Sequence, residues 1–203
     1  MGMIYIEYIS RRRDVDIATF HRVANASQAG WGDSYAEDRL VLNLGRTWRL
    51  GPEPEYIGVW YSPGAGLERL DGWDEIFRGG SVSHLERPFH DVARIDAAGC
   101  YVPLSEPVAA RDGVYYAEFL RPVGDSGAIT EFFALRAAQR PALPLLLLAQ
   151  RIGRLAPEPG GLAIWRLPNL AALSEIAEDL DDVDQPVALV TAGVYHDLGQ
   201  EIL

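Results

Sequence analysis

From Met3 to Ile9 the side chains alternate with a period of two, placing Ile4, Ile6 and Tyr8 on one face and Tyr5, Glu7 and Ile9 on the other. That period belongs to a strand. Beyond Asp14 and Asp16, either of which can cap a helix, the period lengthens and Ile17, Phe20, Val23 and Ala24 make an apolar stripe that fades near Gly30 and Gly32. Two further strands are expected, Leu40 to Arg49 and Glu55 to Tyr61. Between them Pro52 and Pro54 lock φ and remove backbone donors, so the ladder must turn there. Leu67, Leu70, Trp73, Ile76 and Phe77 form a second helical stripe, followed by an irregular segment with His84, Pro88 and His90 and a last strand from Ala98 to Leu104. The predicted order is βαββαβ.

The same order then recurs. Val114 to Leu120 matches the first strand, with Tyr116 and Glu118 standing where Tyr5 and Glu7 stand, and Ile129 and Phe132 match Ile17 and Phe20. Leu145 to Leu155 and Leu162 to Leu167 flank a second proline turn; Leu170, Leu173, Ile176 and Leu180 predict a fourth helix that ends in the acidic run Asp181 to Asp184. Val187 to Leu198 closes the unit, its AGVYHDL pairing with AGCYVPL of Ala98 to Leu104. The plainest sign of duplication is RLGPEPEYIGVW, Arg49 to Trp60, against RLAPEPGGLAIW, Arg154 to Trp165, where six of twelve positions are identical. Pro107 and Gly113 break the chain between the halves, which gives units 1–108 and 109–203.

A βαββαβ unit makes a four-stranded antiparallel sheet with both helices on one face, leaving an apolar face that a second sheet can cover. The fold class expected is α+β: two tandem ferredoxin-like units forming a single-chain, pseudo-twofold α+β barrel. In element order and duplication the chain resembles the dimeric α+β barrel superfamily, which includes NIPSNAP-like and EthD-like proteins, antibiotic-biosynthesis monooxygenases, haem-degrading enzymes and muconolactone isomerases. The resemblance covers nearly the whole chain, carries no catalytic motif and transfers no residue role. It implies a ligand held between a sheet and its helices, or between the two sheets.

The 203 residues are 48% hydrophobic and 23% charged, a globular composition, and the net charge of −11 disfavours nucleic acid and anionic lipid as partners. Arg11, Arg12 and Arg13 read as a solvated loop. No targeting segment or membrane span is expected, since the longest apolar run, Ala142 to Ala149, is short and contains Pro144. The single Cys100 fits a reducing cytoplasm.

Because the halves are copies, a polar residue present in only one of them needs a separate explanation. Aligned on their apolar stripes, the helices set His21 against Phe133; the second strands set Asn43 against Leu148 and Thr47 against Ile152. His21 is the candidate acid or base, because its ordinary pKa lies nearest neutrality. Glu7 can orient it or act as a base if buried, although its repetition as Glu118 reads as a structural partner for the repeated pairs Arg46/Arg151 and Arg49/Arg154. Asn43, Thr47, Tyr101, Tyr5 and Trp48 are the candidate substrate-binding residues, with Trp31 either walling a pocket or meeting a partner.

His21, His84, His90 and His196 show no metal-ligand spacing, and no serine elbow, phosphate loop or dinucleotide fingerprint is present. No metal or cofactor is expected. One axial histidine would suffice for haem, so that reading stays open. The leading expectation is a small-molecule-binding protein, or a cofactor-independent enzyme, acting on a small apolar or aromatic metabolite in the first half. The alternatives are a non-catalytic barrel that forms homo-oligomers and a haem-binding, monooxygenase-like protein.

Overall fold

The computed structural model describes residues 2–34, 38–47, 54–79, 83–109, 113–176 and 185–198. Trp48, Arg49 and the acidic run Asp181 to Asp184 lie outside them. The first half runs β1 (Met3–Arg11), α1 (Ile17–Ser34), β2 (Arg39–Arg46), β3 (Tyr56–Ser62), α2 (Arg69–Gly79), α3 (Ser83–Val92) and β4 (Ala93–Pro103). The second runs β5 (Val114–Pro122), α4 (Ser126–Gln139), β6 (Leu145–Arg151), β7 (Gly161–Leu167), a 3-10 turn (Leu170–Ala172) leading into α5 (Leu173–Ile176), and β8 (Val187–Asp197).

All eight strands belong to one antiparallel sheet, ordered β1-β3-β2-β8-β5-β7-β6-β4, and the pairing of β4 with β1 closes it. The first half reads β4-β1-β3-β2 and the second β8-β5-β7-β6, joined where β2 meets β8 and where β4 meets β6. Register is repeated too. Tyr5 faces Trp60 and Glu7 faces Gly58 across β1 and β3, while Tyr116 faces Trp165 and Glu118 faces Ala163 across β5 and β7.

Alternation sorts each strand between two environments. Ile4, Ile6 and Tyr8 point into the closed sheet, where they pack with Leu44, Val59, Tyr101, Tyr115, Phe119, Leu147, Ile164 and Tyr195. There the hydroxyls of Tyr8 and Tyr101 share a hydrogen bond of 2.8 Å, which satisfies both phenols in an apolar interior. The opposite faces meet the helices: Ile9 packs with Phe20 and Ala24 of α1 and Phe89 and Val92 of α3, and Tyr116 with Ile129 and Phe133 of α4. Cys100 is buried with Met3 and Trp73, and burial pushes its thiol pKa up.

Several elements differ from expectation, and β6 ends at Arg151 rather than Leu155. The segment with Pro88, read as irregular, is the helix α3. Pro88 forfeits one backbone hydrogen bond, but Phe89 and Val92 bury themselves against α1, and that packing outweighs the local preference. The last strand of the first half also starts earlier, at Ala93 rather than Ala98. Among the described residues, no helix is long and apolar enough to cross a membrane.

Candidate functional site

The two helix caps give the register of α1 against α4. Asp16 accepts the backbone N–H of Thr19 at 2.9 Å, and Asp125 that of Ala128 at 2.9 Å. Aligned on these caps, buried Phe20 corresponds to buried Ile129, and buried Ala24 to buried Phe133. His21 therefore stands opposite Thr130 rather than Phe133, which corrects the alignment by apolar stripes. The same register sets Ser27 opposite Arg136 and Trp31 opposite Arg140.

That shift explains what the two glutamates do. Glu118 is fully buried, and Arg136 of α4 donates from Nη1 to its Oε2 at 2.7 Å while the indole N–H of Trp165 donates to the same oxygen at 2.8 Å. Arg136 also donates to the Ile176 carbonyl at 2.7 Å. Burial pushes the Glu118 carboxyl up, and Arg136 and Trp165 oppose that push. The partner is thus a helix arginine and not the expected hairpin pairs; Arg151 pairs with Glu158 instead.

Glu7 keeps the indole bond, from Trp60 to Oε2 at 3.2 Å, but has Ser27 where Glu118 has an arginine. The space left is a cavity of about 160 Å³ whose walls include Tyr5, Trp31, Trp60, Trp73 and Phe89, with Glu7, Ser27, Asp38, Glu86 and His90 as its polar lining. The rings brace one another. Tyr5 and Trp73 meet edge to face with centroids 5.0 Å apart, and Trp31 and Trp60 at 6.4 Å.

Two carboxylates in this cavity differ in kind. Asp38 is committed, accepting from Ser62 Oγ at 2.5 Å, Arg69 Nη2 at 3.0 Å and Trp73 Nε1 at 3.1 Å. Glu7 has no such cation among the described residues. Burial raises its carboxyl to about 7, Glu86 adds to the rise, and the Trp60 N–H partly offsets it. Burial, with the nearby Glu7 charge, also raises the Tyr5 phenol. The Glu86 carboxyl is raised by burial and pulled back by His90. A carboxyl near 7 in an aromatic enclosure can hold a proton or accept one at physiological pH.

Of the residues singled out from sequence, Tyr5 and Glu7 line this cavity together. His21 is half-buried on α1, its ring edge-on to Phe20 and Tyr56 at 5.5 and 6.1 Å, and does not line the cavity. Asn43 is buried but donates to Asn25 Oδ1 at 3.2 Å, and Asn25 in turn donates to the Leu198 carbonyl at 3.0 Å, so a neighbouring side chain answers its need for a partner. Thr47 Oγ1 lies 3.3 Å from His196 Nδ1 at the junction of β2 and β8. Tyr101 is inside the closed sheet with Tyr8. Trp31, expected either to wall a pocket or to meet a partner, is part of the cavity wall. Asp38, Trp73 and Glu86 were missed, because only the tertiary fold brings their segments beside β1. Among the described residues, no group of three or more His, Cys, Asp or Glu is placed to hold a metal.

This mixed α+β architecture, built on an eight-stranded antiparallel sheet, is similar to the fold of chlorite dismutase-like structures. A haem-binding protein from Thermus thermophilus superposes with a TM-score of 0.60 at 6% identity, over 97% of this chain and 90% of that one. A mutant chlorite dismutase from Candidatus Nitrospira defluvii, in complex with cyanide, gives 0.59 at 9% identity over 98% and 92%. A candidate monooxygenase from Lactobacillus acidophilus gives 0.54 at 13% identity over 97% and 91%. Such low identities establish the fold alone. No protein-family model and no curated protein sequence matches the chain.

Proposed function

We propose that the protein is a cofactor-independent enzyme that binds a small apolar or aromatic molecule in the cavity of its first half and moves a proton on it through Glu7. The observation that carries this reading is a half-buried carboxylate walled by aromatic rings at the position where the duplicate copy bonds its glutamate to Arg136. The Trp60 indole N–H would fix the carboxylate while its other oxygen meets the ligand, and the rings would exclude water and stack on an apolar substrate. Of the two proton-carrying groups noted from sequence, Glu7 takes this role because His21 lies off the cavity.

The size of the cavity supports a ligand of one ring. About 160 Å³ compares with the roughly 150 Å³ cavity that holds benzene, and falls below the roughly 300 Å³ at which pockets for drug-sized ligands begin. A haem macrocycle is larger still. The equivalent space in the second half is filled by Phe133, Arg136 and Trp165, so the described residues do not fit haem. The packed interior of the closed sheet is what a non-catalytic barrel would also show, but the cavity lies outside it, under α1 and α3.

The chain is further read as two tandem ferredoxin-like units, 1–108 and 109–203, in a pseudo-twofold barrel. The identical strand order and register of the halves support this. Kinship with the NIPSNAP-like and EthD-like proteins in particular rests on element order and the duplication.

The test is a panel of single-ring aromatic compounds followed by melting temperature and by tryptophan emission, since Trp31, Trp60 and Trp73 line the site. Compounds that bind are then incubated in D₂O, and exchange of a ligand proton is followed by NMR. Binding by wild type, with exchange lost in Glu7→Gln while binding of neutral ligands persists, is the expected result. No binding by any compound overturns the site, and exchange undiminished in Glu7→Gln overturns the role of Glu7.

A further inference from the structure

The second half supplies a template for what the first half lacks. Over Glu118 the chain has built in a planar cation: the Arg136 guanidinium bonds to the carboxylate and lies 5.1 Å from the Trp165 ring centroid and 5.8 Å from that of Phe133. Arg140, one turn further along α4, donates to the Glu175 carbonyl at 2.9 Å and adds a second positive charge near Glu118. On α1 the corresponding positions are Ser27 and Trp31. A serine ends far short of the carboxylate that an arginine at the same position reaches, and the tryptophan extends the aromatic wall. The strand floor is unchanged: glutamate, indole N–H and tyrosine recur in the same register.

The geometry points to a small planar cation as the ligand of the first-half cavity, an amidinium, a guanidinium or a protonated nitrogen heterocycle, stacked on Trp60 and donating hydrogen bonds to Glu7. This rests on the cavity being a ligand site, as proposed above, and narrows the class of ligand. Three features favour the cation. Its N–H groups would meet Glu7 in charge-assisted hydrogen bonds, and its positive face would lie on the indole, as the Arg136 guanidinium does on Trp165. Among the described lining residues there is no arginine, and Glu86 brings another carboxyl to the same space. Asp38 is already held by Arg69 and Glu86 lies in the field of His90, which leaves Glu7, on the Trp60 indole, as the carboxylate for the ligand. His90, facing Glu86, is the one described lining side chain able to carry positive charge.

Titration calorimetry of the full chain at pH 8 with benzamidine, benzamide and benzoate tests this, because the three share a ring and differ in the charge of the head group. Benzamidine is expected to bind at least about tenfold more tightly than benzamide, and benzoate more weakly than either. Glu7→Gln should bring benzamidine down to the level of benzamide. Ser27→Arg should plug the cavity with its own guanidinium and abolish binding of all three. Benzamide or benzoate binding as tightly as benzamidine, or benzamidine affinity unchanged in Glu7→Gln, overturns the cation and leaves the cavity standing. Failure of all three to bind wild type overturns both. A folded Ser27→Arg that still binds benzamidine also overturns the template; should that variant not fold, Glu7→Gln decides alone.

Discussion

Replacing Glu7 by glutamine is expected to stabilise the protein at pH 8 and to leave its stability unchanged at pH 4. In the folded chain burial raises this carboxyl from 4.5 to about 7, whereas in the unfolded chain it titrates near its ordinary value. Between those two values the native state holds the proton more often than the unfolded state does, so stability falls as pH rises through the window. Above the window both states are ionised, and the native state bears the whole cost of a desolvated charge. At about 1.36 kcal/mol per pH unit, the displacement to about 7 corresponds to roughly 3 kcal/mol, and water entering the cavity brings this to about 2–3 kcal/mol. Glutamine removes the charge and keeps an oxygen for the Trp60 N–H. For a chain of this size each kcal/mol moves the melting temperature by about 2–4 °C, so the gain at pH 8 is about 4–12 °C. Melting followed by circular dichroism from pH 4 to 8.5 measures it. Tyr5 on the same strand, Asp38 before β2, and Glu86 and His90 of α3 face the same space in both proteins, so the two proteins differ there only in the charge at Glu7. A variant no more stable than wild type at pH 8, or a gain independent of pH, would refute the reasoning. Carrying such a cost in the native state is what a working group does and a structural one avoids.

The partner glutamate should respond in the opposite sense. Arg136→Ala leaves Glu118 fully buried without its cation and is expected to cost about 3–5 kcal/mol in urea unfolding, with Glu118→Gln recovering part of the loss when combined with it. Tyr101→Phe strands the Tyr8 hydroxyl inside the closed sheet and should cost about 1–2 kcal/mol in the same measurement. Gly99→Ala should destabilise by about 1–3 kcal/mol, because its Cβ would lie 2.3 Å from Ala156 Cα where β4 meets the second half, and backbone must move to admit it. Thermal melts of that variant showing no loss would mean that the two halves are less tightly joined there than described.

Much of the fold can be read along the chain because its signals are local. The period of two in Met3 to Ile9 assigns Ile4, Ile6 and Tyr8 to one environment and Tyr5 and Glu7 to another, and the structure keeps that division. Pro88 shows where local reading fails: a proline argues against a helix, and the burial of Phe89 and Val92 against α1, which decides the matter, is a contact between distant segments. Comparing the duplicated halves is sound in principle, but apolar stripes give the wrong register. They slide easily, since several helical offsets bury some hydrophobic face, and so they set His21 against Phe133. Capping aspartates do not slide. In the sequence Asp14 and Asp16 compete for the cap; the structure selects Asp16, and aligned on Asp16 and Asp125 Ser27 falls opposite Arg136.

The chain itself writes the inventory: two copies of one pattern, a glutamate and a tryptophan retained in each, and Arg136 in one helix where the other has Ser27. Tertiary structure alone decided that these meet. It carries Arg136 to Glu118, brings Asp38, Trp73 and Glu86 from separate segments to the floor and walls beside Glu7, and leaves a cavity where Ser27 is too short. The physical reason is range. Periodicity and capping act over a few residues and are written in order along the chain, whereas the environment of a buried charge is set by whatever long-range packing places within a few ångströms of it.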